Sequence, residues 1–276
     1  MARLFLMEYP QLFSSLKPRH LEDYKKILET RKSKSKSKSK RESARREELY
    51  IPPPVKPLMG NSKLQFHDVE FSWESVSPQP PDSYKRDFET VVKKMYRTAL
   101  NSVLKFLPDG LPNPFVDGKI PIRVTNNEVL VLAGNPRELF LSFSEQYQNR
   151  NVSFLNESHD AVTFTGFVKN GKTDEITLER IIIVLDLSRF VEIARTDGRQ
   201  LAPRLLAAFV HEVGGHIPDA LSGVLKIEET SAYERSVHIL EKMKKKMEEE
   251  KSKSRLIQEF QRTLDHERML LEASRK

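Results

Sequence analysis

The residues best suited to carry chemistry stand together in one short segment, His211-Glu212-Val213-Gly214-Gly215-His216. Neutral imidazole is a common ligand of Zn²⁺, and a carboxylate beside a bound metal can act as a general base toward water. The apolar residues just before the segment recur at helical spacing: Leu205, Leu206, Phe209 and Val210. This pattern predicts a helix over 203–216, with Pro203 in its first turn, that carries two imidazoles and one carboxylate.

The two histidines are five positions apart, whereas zinc-binding helices commonly place them four apart. At about 100° per residue, i+5 falls about 140° away from the first residue, against about 40° for i+4. A regular helix would point the imidazoles apart, but one extra residue in the turn, a π-bulge, brings them together. Gly214 and Gly215 are expected to tolerate this backbone distortion. The sequence therefore predicts a π-bulge that lets His211 and His216 bind one metal ion.

The segment resembles zinc peptidases that carry an expanded motif. It matches the His-Glu-x-x-Gly-His of dipeptidyl peptidase III in full, and it is similar to the His-Glu-x-Gly-Thr-His of the tubulin-tyrosine carboxypeptidase-like family. In both families a downstream Glu-Glu-x-x-Ala sequence follows, and residues 228–232 read Glu-Glu-Thr-Ser-Ala. The resemblance covers about residues 178–240, with a shorter gap between the two motifs than in either family. It implies an α+β, zincin-like fold with a small twisted sheet, an active-site helix and a helical C-terminal part.

The resemblance also implies a set of zinc ligands. His211 and His216 would bind Zn²⁺ together with a glutamate, and the family register favours Glu229. Glu228 and Glu234 remain alternatives for this third position.

The resemblance further implies a zinc-dependent metallopeptidase acting on a peptide or protein substrate. Glu212 would be the general base that activates water, and Tyr233 and His238 would stabilise the oxyanion. The strand over 180–185, which precedes the active-site helix, would bind an extended peptide by strand addition.

The remaining elements follow from hydrophobic periodicity and from turn residues. Helical spacing predicts helices over 84–106, 136–146 and 188–196. A charged helical tract over 230–273 is expected either to pack on the domain as an amphipathic hairpin or to form a coiled-coil partner surface. Asn170-Gly171 predicts a hairpin turn between the last two strands. The candidate strands lie around Leu64–Phe66 and over 120–124, 129–132, 152–155, 161–168 and 180–187.

Three segments are expected along the chain. Residues 1–30 have apolar residues at helical spacing, and residues 31–62 are rich in Lys, Ser and Pro. Within that second segment, the Lys-Ser alternation over 32–40 has no apolar face to bury, which predicts a disordered linker. Residues 63–276 would then form the zincin-like domain with its long C-terminal helices.

The chain is basic, with a formal net charge of +7 and a pI near 9.4. The Lys-rich linker accounts for much of this excess and favours weak contact with nucleic acid. The alternative function is therefore a basic nucleic-acid-binding or structural protein that carries a non-catalytic zinc site.

The 276 residues include no cysteine, so any metal site must use histidine and carboxylate ligands. The first residues do not form a signal peptide, and no apolar run approaches the roughly 20 residues of a membrane span. We therefore expect a cytoplasmic protein without membrane contact.

Overall fold

The computed structural model describes residues 63–115, 123–124, 126–136, 138, 160–169, 176–222, 229–250, 252 and 254–275. Several predictions lie outside these residues. They are the helical segment 1–30, the linker 31–62, the strand 152–155, the Asn170-Gly171 turn, nearly all of the helix 136–146, and Glu228.

The sheet is mixed and is built around its longest strand. The strands are β1 (Gln65–Phe71), β2 (Arg123–Val124), β3 (Glu128–Gly134), β4 (Ala161–Lys169) and β5 (Ile176–Asp186). β2 and β3 pair in parallel with successive parts of one edge of β5, β4 pairs antiparallel with its other edge, and β1 pairs in parallel with β3. The antiparallel β4–β5 pair confirms the predicted hairpin arrangement.

The first of the named α-helices lies between β1 and β2, and the rest follow β5. They are α1 (Asp82–Phe106), α2 (Leu187–Thr196), α3 (Gly198–Val210), a π-helical segment (His211–His216), α4 (Ile217–Leu221), α5 (Glu229–Glu249) and α6 (Ser254–Ser274). The stretch from Gly198 to Leu221 is continuous and is called the site helix below. It begins earlier than predicted, so Pro203 lies inside α3 and not in its first turn.

The side chains of β5 point alternately to the two faces of the sheet, and this alternation explains where the main core lies. Ile181, Ile183 and Leu185 are buried in the main core together with residues of the helices. Ile182 and Val184 point to the opposite face, where they form a smaller apolar cluster with Leu132. The main core therefore lies between the sheet and the helices, and the site helix packs within it.

The fold class is α+β, as predicted. The C-terminal charged tract forms two helices, α5 and α6, that pack against each other and against the site helix, which is the predicted amphipathic hairpin. The buried residues of this hairpin include Leu240, Phe260 and Leu264. Among the described residues, none of the helices is both long and apolar enough to cross a membrane.

Candidate metal centre

The predicted π-bulge is present and has the predicted effect. Residues His211–His216 form a π-helical segment between the regular turns of α3 and α4. The extra residue brings the imidazoles together, with 3.1 Å between the two Nε2 atoms. The planes of the two rings are nearly perpendicular, at 86°. Both side chains are buried, with 6% and 4% of their residues' surface exposed.

Glu229 lies opposite the two imidazoles. Its Oε2 atom is 3.3 Å from Nε2 of His211 and 3.7 Å from Nε2 of His216. Glu234 instead has a half-exposed side chain and pairs with Arg275 at 2.7 Å. The geometry therefore brings Glu229, the residue favoured by the family register, to the cluster and places Glu234 elsewhere.

These three atoms have the separations that a tetrahedral metal ion requires. With metal–ligand bonds of about 2.0–2.1 Å, tetrahedral geometry places its ligand atoms about 3.3–3.4 Å apart. The observed separations of 3.1, 3.3 and 3.7 Å bracket this value. His211, His216 and Glu229 therefore fit as three ligands of one ion.

The charge balance also suits a cation. Burial by itself would lower the pKa of His211, but the carboxylates of Glu229, Glu212 and Glu267 reverse this effect and raise it. Three carboxylates thus surround two imidazoles in a buried setting. A divalent ion bound at this point would add positive charge beside these carboxylates, which favours its binding.

Glu212 also lies beside the two imidazoles, where its carboxylate could serve either as a ligand or as a base. One of its carboxylate oxygens lies within 4.8 Å of a ring nitrogen of each histidine. Thr163 of β4 donates a hydrogen bond of 2.7 Å to its Oε2 atom. Burial raises the pKa of Glu212 to about 7, and His211 and the Thr163 hydroxyl oppose this rise. A carboxyl group that titrates near neutral pH can both accept and return a proton.

The two glycines have a different role from the one predicted. Neither has a positive φ, so the π-bulge does not use the conformational freedom of glycine. Instead, a Cβ at Gly215 would lie 2.9 Å from the Cβ of Ala232, and a Cβ at Gly214 would lie 2.6 Å from Cδ1 of Ile239. Both neighbours belong to α5. At Gly214 the obstacle consists of side-chain atoms, whereas at Gly215 it includes the backbone of Ala232, so glycine is needed at 215 because the site helix and α5 approach too closely for a side chain.

The two residues predicted to stabilise the oxyanion, Tyr233 and His238, have different positions relative to the cluster. The ring of Tyr233 packs on His211, with 4.3 Å between the ring centroids, and burial raises the pKa of its phenol. His238 lies nine residues after Glu229 on the same regular helix, which places it about 180° away around the axis. The structure therefore brings Tyr233 to the cluster, and its geometry does not support the predicted role of His238.

The prediction that the strand over 180–185 binds a peptide by its edge is wrong. These residues lie in β5, whose two edges are both occupied, by β3 and by β4. Within the part of the chain that the structure describes, β4 pairs on one side only. β4 is also the strand whose Thr163 reaches Glu212. The strand that borders the site is therefore β4.

Sequence reasoning missed three residues around the site. Thr163 contacts Glu212, and Arg235 of α5 donates to Asp219 and to the carbonyl oxygen of Gly215 in the π-helical segment. Glu267 of α6 is buried beside the cluster and accepts a hydrogen bond of 3.2 Å from Ser236. A threonine at a core-facing strand position was a readable signal. Nothing in the sequence distinguished Glu267 from its many charged neighbours.

Comparisons with protein-family models, with curated proteins and with solved structures found no match for this chain.

Proposed function

We propose that this protein is a metal-dependent hydrolase with a single Zn²⁺ held by His211, His216 and Glu229. Among such hydrolases, we propose that it is a zincin-like metallopeptidase. The observation that carries the proposal is the convergence of two imidazole nitrogens and one carboxylate oxygen with separations of 3.1–3.7 Å, beside a buried glutamate. Three protein ligands leave the fourth position of a tetrahedral zinc ion open, as catalytic sites require.

When bound, Zn²⁺ supplies Lewis acidity that lowers the pKa of water and polarises the scissile carbonyl. Glu212 removes the proton from the attacking water and passes it to the leaving amine. The ring of Tyr233 packs against His211, and we propose that its phenol donates a hydrogen bond to the carbonyl oxygen as that oxygen gains negative charge.

The choice of a peptide substrate rests on β4. Among the described residues, β4 pairs on one side only, and such a strand can bind an extended peptide through backbone hydrogen bonds on its other side. Because Thr163 of β4 contacts Glu212, a peptide on this edge would pass beside the general base. We infer that β4 holds the substrate backbone.

The test combines metal analysis with hydrolysis of a library of internally quenched peptides. Wild type is expected to contain about one equivalent of zinc, and His211→Ala to lose it. Glu212→Gln should keep zinc but lose turnover by at least about 10²–10⁴-fold, the contribution of a positioned general base. His238→Ala is the control and should retain both zinc and activity, because its side chain lies on the far side of α5.

Two outcomes would overturn the proposal. Absence of zinc from the purified wild-type protein would contradict the proposed metal centre. Undiminished hydrolysis by Glu212→Gln would contradict the role of Glu212 as the general base. Bound zinc with no hydrolysis of any peptide would favour the alternative function, a basic structural or nucleic-acid-binding protein with a non-catalytic zinc site.

A further inference from the structure

Thr163 is a polar residue at a position where the sheet otherwise carries apolar side chains. In the β4–β5 pair it lies directly opposite Ile183, and Ala161 lies opposite Leu185. These three neighbours belong to the main core between the sheet and the helices. Thr163 is only 1% exposed, so its hydroxyl group must find a partner inside the protein.

That partner is the carboxylate of Glu212. The 2.7 Å hydrogen bond from Thr163 Oγ1 to Oε2 joins residues 49 positions apart in the chain. Glu212 is itself only 2% exposed. A hydrogen bond to a carboxylate in such a buried setting is short and stronger than one in water.

We propose that Thr163 is the positioning residue for the general base, a proposal that rests on the proposed function of this site. The side chain of threonine is branched at Cβ and has few rotamers, so the backbone of β4 sets the direction of its hydroxyl group. Glutamate has three rotatable side-chain bonds and needs such an anchor. The hydrogen bond engages Oε2 and leaves the other oxygen for the reacting proton.

This contact also links the base to the strand edge that we infer holds the peptide. Any displacement of β4 would move the hydroxyl group and, with it, the carboxylate of Glu212. Since a proton can be transferred only over hydrogen-bond distance, loss of the anchor reduces the fraction of time that the base is in place. The expected signature is a lower kcat with an unchanged KM, because peptide binding itself does not use the hydroxyl group.

The test uses three variants of the zinc-loaded protein and a quenched peptide that wild type cleaves. Thr163→Val removes the hydroxyl group and keeps the shape, and its kcat should fall about 10–100-fold, as for other residues that orient an active group. Thr163→Ser retains the hydroxyl group and should recover most of the activity. Thr98→Val in α1, whose hydroxyl group donates to the carbonyl oxygen of Lys94 and lies outside the proposed site, is the matched control and should behave as wild type.

A crystal structure of the zinc-loaded Thr163→Val variant supplies a readout besides activity. Glu212 is expected to leave its single position and occupy several rotamers, while zinc stays bound. If the valine variant does not fold, Thr163→Ala removes the hydroxyl group without placing a second methyl group beside the carboxylate of Glu212. A variant without the hydroxyl group that keeps kcat within about twofold of wild type, or keeps Glu212 in place, would overturn the proposal. If wild type hydrolyses no peptide, the proposed function fails, but the crystal structure still decides whether Thr163 positions Glu212.

Discussion

Replacement of Gly215 by alanine adds one methyl group where the site helix and α5 come closest. The new Cβ would lie 2.9 Å from the Cβ of Ala232 and 3.1 Å from its backbone, where ordinary contact begins near 3.4 Å. The obstacle is largely backbone, so α5 has to retreat by about 0.5 Å, the difference between 3.4 and 2.9 Å. Glu229 lies less than one turn before Ala232, so its carboxylate retreats with the helix.

The magnitude follows from two opposing terms. Overpacking of this kind costs about 1–3 kcal/mol, and alanine regains about 1 kcal/mol over glycine in a helix. The zinc-free variant should therefore lose only about 0–2 kcal/mol of unfolding free energy. Zinc binding should suffer more, because ligand distances tolerate only about ±0.2 Å. We expect zinc affinity to fall about 10–100-fold, which is about 1.4–2.8 kcal/mol.

The assay is a competition titration with a fluorescent zinc chelator, together with urea unfolding of the zinc-free protein. Gly214→Ala is the matched control, because its Cβ would meet side-chain atoms of Ile239 and Val103, which can rotate away. Its zinc affinity should stay within about threefold of wild type, since no backbone has to move. Equal zinc affinities for the two variants, or an unchanged affinity for Gly215→Ala, would refute the argument from close helix approach.

Two further predictions concern carboxylates. Glu229→Gln should weaken zinc binding by at least about 100-fold, because losing a metal ligand has a larger effect than losing an outer hydrogen-bond partner. The matched change Glu234→Gln, at a half-exposed side chain, should leave zinc binding unchanged. The reverse result in a zinc titration would make Glu234 the ligand. Burial raises the pKa of Glu267 above its ordinary value of 4.5, and its main electrostatic partner is His211. A raised pKa in the folded state means that the stability contributed by this group is complete below its unfolded pKa and is lost as the pH rises through the folded value. Urea unfolding of zinc-free Glu267→Gln should therefore show a smaller loss of stability than wild type as the pH increases from about 4.5 toward 8; parallel curves for the two proteins would contradict the assigned cause.

The local sequence was sufficient to predict features that depend on interactions within one helix or between neighbouring strands. The five-residue spacing of His211 and His216 leaves a helix only one way to bring both imidazoles to one ion, which is an extra residue in the turn. Hydrophobic periodicity likewise predicted α1 and α2, because each buries one apolar face, and the Asn170-Gly171 signal predicted the antiparallel pairing of β4 with β5. The glycines were correctly connected with the site, but for the wrong reason, since the constraint comes from a second helix and not from the backbone of their own.

Only the tertiary structure could decide which residues meet across elements. The choice of Glu229 over Glu234 depends on how α5 is rotated about its axis when it packs on the site helix. Strand order decides two further features, the hydrogen bond from Thr163 to Glu212 and the fact that β4, not β5, borders the site. The periodicity of residues along one strand gives no information about strand order. The sequence by itself thus determined the two imidazoles and their convergence within one helix. The approach of Glu229 to the imidazoles, the hydrogen bond from Thr163 to Glu212 and the position of β4 at the edge of the described sheet were decided by long-range packing, because each depends on distances set by the whole core.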